Sequence, residues 1–296
     1  GAILLGKTRT NELAMGGWGL NTSLGTPWNT WDMNVHRVPG GSSSGSAVAV
    51  SAGFSSFALG TDTGGSVRLP ASFCGLTGLN VTANCLPRDG IMPLSKTLDA
   101  PGPIARTALD AAILLQVMGG RAAELVSRDL KTGGGLLGTL MRGGGIEGLR
   151  IASINSQERE ICSAEVLEAY DGACDTLSLL GAQVESVSPV HAYSEIARHM
   201  GALIDAEAYE MHGDDYCALA FCASEYVRDR VLSGAKLGAD AIIRIHKERA
   251  EMQSGFLNAI REYDALITPT TPTTAIPVDE VDDSALLHKW CEGFPV

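Results

Sequence analysis

The sequence has few aromatic residues, few positive charges and no long apolar run. It holds 6 Phe, 6 Tyr and 4 Trp in 296 residues, and 22 Lys and Arg against 34 Asp and Glu, a net charge of −12. An acidic surface repels phosphate backbones and anionic lipids, so we expect neither nucleic acid nor membrane among the partners. The most apolar stretch, 47–59, is interrupted by three serines, whereas a membrane-spanning helix needs about 18 consecutive apolar residues.

Paired-cysteine motifs and zinc-type histidine motifs are also absent. The seven cysteines show no CxxC spacing, and the six histidines show no HExxH pattern. An odd number of scattered cysteines indicates free, buried thiols in a reducing compartment, so we expect a cytoplasmic protein. Without ligand spacing we predict no metal site.

The apolar content of 45% excludes global disorder and is high enough for a large core. Strand and helix patterns alternate after residue 148, with strands at 149–154, 183–187 and 265–268 and helices at 166–180 and 239–263. Such alternation indicates an α/β sheet with helices on its faces. Upstream, Thr107 is expected to cap a helix that runs to Met118. We expect a turn at 212–215 and a surface excursion at the glycine clusters 133–135 and 143–145.

Residues 1–85 are rich in Gly, Ser and Thr and contain three patterns that bear on chemistry. The first, Gly1 to Thr8, matches the phosphate-loop pattern GxxxxGK[ST]. However, Ile3-Leu4-Leu5 is typical of a buried strand, and no strand precedes Gly1. We therefore favour Lys7 at the end of a strand, pointing into a site, over a nucleotide-binding loop. A surface lysine is the alternative.

The second pattern is the serine-rich segment 40–46. Residues 41–45 match the GxSxG nucleophile elbow with Ser43 as the serine, but an elbow needs a hydrophobic strand directly before it. Residues 34–39 are a poor strand that ends at Pro39. Serines that cap the following helix are the structural alternative.

The third pattern is Gly60-Thr-Asp-Thr-Gly-Gly-Ser-Val-Arg68. Glycines ahead of a serine let successive backbone N–H groups point at one place, as an oxyanion hole requires. By itself this segment is also compatible with an ordinary glycine-rich turn.

Taken together, the three segments resemble the amidase signature family. That family has a GKT-type lysine, a segment rich in Gly and Ser, and a GTDTGGS-V/I-R segment 24 positions further on; here Ser42 and Ser66 are 24 positions apart. The motif-rich resemblance covers about residues 1–120, including 70–75 and 98–103, and weakens beyond them. Arg9 stands where members usually have Asn.

The resemblance implies a role for each matching residue. Ser66 matches the nucleophile, Ser42 the bridging serine whose preceding peptide bond is cis, and Lys7 the base. The implied oxyanion hole consists of backbone N–H groups of Thr63, Gly64, Gly65 and Ser66. The implied supporting residues are Ser43, Asp62 and Arg68.

The resemblance also implies an α/β fold with a large mixed, twisted sheet covered by helices on both faces. Residues 1–296 would form a single amidase domain, with the motif core at 1–120 and a more variable substrate-side region at 121–296. Both ends of the sequence look like the interior of such a domain. We therefore expect this chain to be its central portion.

Amide hydrolysis needs a nucleophile, a proton for the leaving nitrogen and donors for an oxyanion. A lysine can act as the base only when uncharged, which burial favours, and Asp62 is the only carboxylate between Ser42 and Arg68. We therefore predict an amidohydrolase that forms an acyl-enzyme on Ser66, with Ser42 and Lys7 as the proton relay. Carboxylate and ammonia or an amine would be released.

Two other functions stay open. One is a glutamine-hydrolysing A-type subunit of a glutamyl-tRNA amidotransferase complex, which would need partner chains. The other is a catalytically silent binding protein of the same family. The expected ligand is a small-molecule amide and no cofactor is expected, while a homodimer is compatible with the resemblance.

Overall fold

The computed structural model describes residues 2–119, 145–218 and 224–281, and the chain folds into two compact units. The first unit comprises Gly1–Met141, Asp215–Asp229 and Ala275–Val281. The second comprises Arg142–Asp214, Arg230–Thr274 and Asp282–Val296. The expected excursion at 133–135 and 143–145 lies outside the described residues, except for Gly145.

The first unit contains an antiparallel sheet of three strands. Its elements are α1 (Ser44–Ser51), α2 (Arg68–Phe73), α3 (Ala108–Gly119), β1 (Phe57–Asp62), β2 (Thr77–Gly78), β3 (Ala100–Ala105) and the 3₁₀ turns Glu12–Ala14 and Val278–Glu280. The strand order is β1-β3-β2, and Asp62 pairs with Ala100. The central strand β3 is buried along its whole length.

The core of the first unit lies between α1, α2 and the sheet. Val50 from α1, Val67 from the turn before α2 and Ile104 from β3 are completely buried in one cluster. Small residues such as Ala47 and Ala71 complete this cluster and let the two helices approach the strands. Ser42 and Ser66 lie just ahead of these core segments along the chain, so each is close to well-packed residues.

Thr107 caps helix α3, as its sequence predicts. The Thr107 hydroxyl accepts the Asp110 N–H at 3.1 Å and donates to the Asp110 carboxylate at 2.8 Å. The first bond satisfies one of the free N–H groups at the start of the helix, and the second orients the Asp110 side chain.

The second unit contains a parallel sheet with the strand order β5-β4-β6. Its strands are β4 (Arg150–Ile154), β5 (Gln183–Val187) and β6 (Ala265–Ile267). The helices are α4 (Ser156–Arg159), α5 (Ala164–Leu179), α6 (Tyr193–Cys217), α7 (Glu225–Ser233) and α8 (Ala239–Ala259), and a 3₁₀ turn lies at Gly234–Lys236. Helices α6 and α7 contribute residues to both units. The predicted alternation of strands and helices after residue 148 is confirmed.

Two predictions about local structure are wrong. Residues 2–10 contain no strand, and Ile3, Leu4 and Leu5 are 74–87% exposed, because none of the described strands pairs with this segment. Residues 212–215 do not form a turn but continue α6. A Cβ at Gly213 would lie 2.6 Å from the Tyr209 ring, so the ring would have to shift for any other residue, and close packing rather than chain reversal accounts for the glycine.

The five described cysteines are free thiols, and only Cys74 is buried. The expectation of buried thiols is confirmed for Cys74 and wrong for Cys217, which is exposed because it ends α6. Burial raises the pKa of the Cys74 thiol to about 12. Among the described helices, none combines the length and apolar character needed to cross a membrane.

Candidate active site

Ser42 lies in a tightly packed loop directly ahead of α1. The Gly41–Ser42 peptide bond is cis, as the family resemblance implies, and Ser42 is 1% exposed. A side chain at Gly41 would collide with the Gly16 carbonyl oxygen and would lie 2.7 Å from the Gly19 nitrogen. The Gly41 N–H donates to the Gly17 oxygen at 2.7 Å. Residues 16–19 therefore hold the Ser42 loop in place.

Ser43 joins this loop to β1 and to Ser66. Its hydroxyl donates to the Thr61 oxygen at 3.3 Å and accepts the Thr61 N–H at 3.2 Å. Its own N–H donates to the Ser66 oxygen at 3.2 Å. The Ser43 hydroxyl makes no capping bond to α1, so it serves to join segments rather than to cap the helix. The structure thus brings the segments of Ser42 and Ser66 together.

The buried Asp62 carboxylate organises the turn that carries Ser66. One oxygen accepts the Gly65 N–H at 2.8 Å, and the other accepts the Val67 N–H at 3.1 Å. The Arg68 guanidinium donates to both oxygens, at 2.8 and 3.0 Å. The Asp62 side chain is 0% exposed, so these bonds offset the cost of burying its charge. Asp62 and Arg68 thereby hold the turn of Ser66 in shape.

The predicted oxyanion donors divide into two groups. The Gly65 N–H is already bonded to Asp62, and Gly65 has a φ of +118°, a conformation that favours glycine. The N–H groups of Thr63, Gly64 and Ser66 have no hydrogen-bond acceptor among the described residues. In this geometry, therefore, three of the four predicted donors are available to a ligand.

Asp99 holds the same turn from the other side, and sequence reasoning missed it. Its Oδ1 accepts the Thr63 hydroxyl at 2.5 Å, and its Oδ2 accepts the N–H groups of Leu94 and Ser95 at 2.8 and 3.0 Å. The antiparallel pairing of β1 with β3 could have pointed to Asp99. If Asp62 pairs with Ala100, the next residue of one segment, Thr63, comes beside the preceding residue of the other, Asp99.

The segment that follows Lys7 runs along the serine loop. The Thr8 and Ser46 hydroxyls are 2.9 Å apart, the Gly45 N–H donates to the Arg9 oxygen at 2.8 Å, and the Asn11 N–H donates to the Ser42 oxygen at 3.1 Å. Arg9 makes its contact with Gly45 through its backbone oxygen. The presence of Arg9, where family members usually have Asn, therefore leaves these contacts in place. Its guanidinium instead reaches the Gly25 oxygen at 3.4 Å.

Lys7 itself is exposed, whereas a base that works uncharged was expected to be buried. The described residues that precede it, 2–6, are also exposed and form no strand. In the described part of the chain, Lys7 is therefore open to solvent. The structure brings the neighbours of Lys7 to the serine loop and gives Lys7 no hydrogen bond there.

A second polar group next to Ser42 was also missed. The Tyr216 hydroxyl donates to Glu12 Oε1 at 2.8 Å, whereas Glu12 Oε2 and the Asn11 side-chain oxygen are buried without a hydrogen-bond partner. Tyr216 is 204 positions from Glu12, and no local pattern relates them. The described residues contain no group of three or more His, Cys, Asp or Glu placed to hold a metal ion.

Comparisons with known proteins match nearly the whole chain. The sequence model of the Amidase family covers residues 1–292. The A-type subunit of the glutamyl-tRNA(Gln) amidotransferase of Prochlorococcus marinus is 36% identical over 316 residues, which covers 97% of this chain and 63% of that protein. A crystal structure of an amidase is 30% identical with a TM-score of 0.79, covering 94% of this chain and 59% of that chain.

A further similar structure is the allophanate hydrolase of Kluyveromyces lactis. It is 26% identical with a TM-score of 0.81, and the match covers 99% of this chain and 47% of that chain. The chain spans less than two thirds of the length of these relatives. The α/β architecture expected from the motifs is confirmed by these matches.

Proposed function

Because the chain belongs to the amidase family, we propose that the protein hydrolyses the C–N bond of a carboxamide. The products would be a carboxylate and ammonia or an amine. The observation that carries this proposal is the 3.2 Å hydrogen bond from the Ser43 N–H to the backbone carbonyl oxygen of Ser66. This bond joins the cis Gly41–Ser42 loop to the turn of Ser66, so the two serines belong to one local structure.

The first chemical step is acyl transfer to Ser66. The Ser66 side-chain oxygen Oγ attacks the amide carbon, and its proton passes to Ser42 while Ser42 gives a proton to Lys7. The open N–H groups of Thr63, Gly64 and Ser66 stabilise the oxyanion, since preorganised donors act strongly in a site that excludes water. The relay then runs backwards, protonates the leaving nitrogen and breaks the C–N bond. Water hydrolyses the acyl-enzyme by the same route.

The three side chains of this mechanism differ in their burial and in the hydrogen bonds that hold them. Ser42 and Ser66 are 1% and 8% exposed, and each is held by neighbouring backbone bonds. Lys7 is exposed, and its part rests on the four hydrogen bonds that join residues 8–11 to the serine-rich segment 40–46. Only the uncharged amine can accept a proton, so the relay needs Lys7 to be covered in the working enzyme.

A second candidate function is the glutamine-hydrolysing A-type subunit of a glutamyl-tRNA amidotransferase. Curated relatives with 31–36% identity to this chain carry the name of that component. In that role the amide would be glutamine, and the ammonia would pass to a partner chain. The two roles share the Ser66 chemistry and differ in substrate and assembly.

Labelling with a fluorophosphonate probe tests the proposed nucleophile. We expect one adduct, mapped by peptide mass spectrometry to Ser66 and absent from Ser66→Ala. Ser55→Ala is a matched control, since the Ser55 hydroxyl makes an exposed local bond to the Phe57 oxygen. An adduct on Ser43 would contradict the proposal. A folded protein without any adduct would favour the silent binding protein.

Turnover assays separate the two enzymatic roles. Aliphatic, aryl and urea-like amides and glutamine are compared with the chain alone and with candidate partner subunits. Hydrolysis of simple amides by the chain alone favours the independent amidase. Activity towards glutamine that appears only with partners favours the role in a complex.

A further inference from the structure

Asn11 is a buried residue beside Ser42 to which the proposed mechanism gives no part. It is 6% exposed and belongs to the first unit. Its backbone N–H donates to the Ser42 backbone oxygen at 3.1 Å. The position of this N–H therefore bears directly on the position of Ser42.

The side chain of Asn11 is anchored to the segment 16–20. Its Nδ2 donates to the Leu20 backbone oxygen at 2.8 Å, and a Cβ at Gly16 would lie 2.5 Å from the same nitrogen. Gly16 also has a φ of +124°, a conformation that favours glycine. The amide nitrogen of Asn11 thus fills the space that a side chain at position 16 would take. One hydrogen bond and close packing hold Asn11 from this side.

The oxygen of the same amide lies against Gly41. A Cβ at Gly41 would lie 2.8 Å from Asn11 Oδ1. This oxygen is buried and has no hydrogen-bond partner among the described residues. A buried acceptor without a donor lowers stability. The oxygen therefore contributes through its contact with Gly41 and not through a hydrogen bond.

The Asn11 amide lies where the segments 16–20 and 40–41 meet. Two backbone hydrogen bonds join these segments, from the Gly41 N–H to the Gly17 oxygen at 2.7 Å and from the Gly40 N–H to the Trp18 oxygen at 3.1 Å. Gly40 and Gly41 have no side chains that could set the distance between the segments. The Asn11 amide touches both segments, so it acts as the spacer between them.

We propose that Asn11 is a positioning residue for Ser42. Its N–H bonds to the Ser42 carbonyl, and its side chain sets how far the Gly41–Ser42 peptide lies from the segment 16–20. Ser42 stands in the middle of the proposed proton relay, so a small displacement of its hydroxyl would lengthen both proton transfers. The effect on turnover rests on the proposed function, whereas the positioning of the loop does not.

Hydrogen–deuterium exchange measures the positioning without any turnover. We expect the Gly40 and Gly41 N–H groups, followed in peptides that cover 38–46, to exchange at least about tenfold faster in Asn11→Ala than in the wild type. Asn21→Ala is the matched control. Asn21 Nδ2 also donates to a backbone oxygen, that of Thr10 at 2.8 Å, but this bond is exposed. Exchange in 38–46 should not change in this control.

A double-mutant cycle with Ser42→Ala tests whether the effect on turnover passes through Ser42. We expect Asn11→Ala to lower kcat about 10- to 100-fold and to change KM less than about threefold, because a displaced relay slows the chemistry and leaves substrate binding intact. In the Ser42→Ala background, the same substitution should lower kcat less than about threefold. A merely structural role would lower kcat by the same factor in both backgrounds.

The inference is overturned by unchanged exchange in Asn11→Ala, by a kcat within about threefold of the wild type, or by equal factors in the two backgrounds. If Asn11→Ala does not fold, Asn11→Ser takes its place. Loss of folding in both variants would assign Asn11 to stability alone and would also overturn the inference. Failure of the proposed function would look different: the wild type would turn over no amide, while the faster exchange in Asn11→Ala persisted.

Discussion

The Thr63 hydroxyl donates to Asp99 Oδ1 at 2.5 Å and ties the turn ahead of Ser66 to the segment that enters β3. The other oxygen of Asp99 accepts two N–H groups, from Leu94 and Ser95. Asp99 therefore joins three parts of the chain at once. Both partners are buried, so the bond is protected from competition with water.

Thr63→Val removes this hydroxyl with little change of shape. We expect a loss of about 1–3 kcal/mol in the free energy of unfolding, because Asp99 Oδ1 is left without its donor in a buried place. Turnover should also fall, since the backbone donors of the turn lose their support. Urea unfolding and amide turnover measure the two effects. Thr63→Ser, which keeps the hydroxyl, should behave like the wild type, and equal stability of Thr63→Val would contradict the prediction.

Arg68→Met tests the buried ion pair with Asp62. Removing the guanidinium leaves a buried carboxylate without its cation, and we expect a loss of about 3–5 kcal/mol in unfolding free energy. The double variant Asp62→Asn with Arg68→Met should lose less than the sum of the two single variants. Lys247→Met, in an exposed pair with Glu251 at 3.8 Å, is the control and should change stability by at most about 0.5 kcal/mol. Additive effects at Asp62 and Arg68 would refute the coupling.

Ser42→Ala separates a proton relay from a structural serine. As a relay, Ser42 should be needed for turnover, and kcat should fall by roughly 10²–10⁴ while the melting curve hardly moves. Ser44→Ala is the control, because Ser44 is buried at the start of α1, two positions from Ser42, and its hydroxyl donates to the Arg9 oxygen at 3.4 Å. It should lose at most about 1 kcal/mol of stability and keep its turnover. Near-normal kcat in folded Ser42→Ala would end the relay hypothesis.

Tyr170 makes the second unit sensitive to alkaline pH. Its hydroxyl accepts the Ile154 N–H at 3.0 Å and donates to the Ile267 oxygen at 3.2 Å, so it bridges β4 and β6. Burial raises the pKa of Tyr170 from 10.0 to about 12. The neutral phenol therefore contributes stability that is complete below pH 10 and is lost as pH rises towards 12. Burial also raises the pKa of Tyr193 to about 12, in the same core.

Urea unfolding of Tyr170→Phe at pH 9 and pH 11 checks this dependence. At pH 9 we expect the variant to be about 1–3 kcal/mol less stable, because the Ile154 N–H loses its acceptor. Towards pH 11 the difference from the wild type should narrow, since only the wild type still loses the contribution of Tyr170. The decrease in unfolding free energy that ionisation of Tyr193 causes at high pH should occur in both proteins. A constant difference across this range would count against the raised pKa.

The local motifs carried most of the information about the site. The Asp62-to-Arg68 segment contains the Asp62 carboxylate and the N–H groups that shape its own turn, so it could be interpreted from sequence. The Gly and Ser pattern around Ser42 was equally visible, although residues 16–19, which hold this loop, were not predicted to do so. Asp99 could have been found only by pairing β1 with β3, and Tyr216 beside Glu12 only from the tertiary structure. The apolar run Ile3-Leu4-Leu5 predicted a buried strand, but these residues are exposed, because a strand also needs a partner strand to pair with and none of the described strands pairs with them.

The close approach of Arg9 to Gly45 has a consequence for the distance between the proposed base and the bridging serine. A Cβ at Gly45 would lie 2.6 Å from the Arg9 nitrogen, so the two stretches meet backbone to backbone with nothing between them. Any side chain at position 45 would act as a wedge, pushing the stretch that follows Lys7 away from Ser42 while leaving every reacting group chemically intact. The absence of a side chain at Gly45 thus allows the segment that follows Lys7 to lie close to the loop of Ser42.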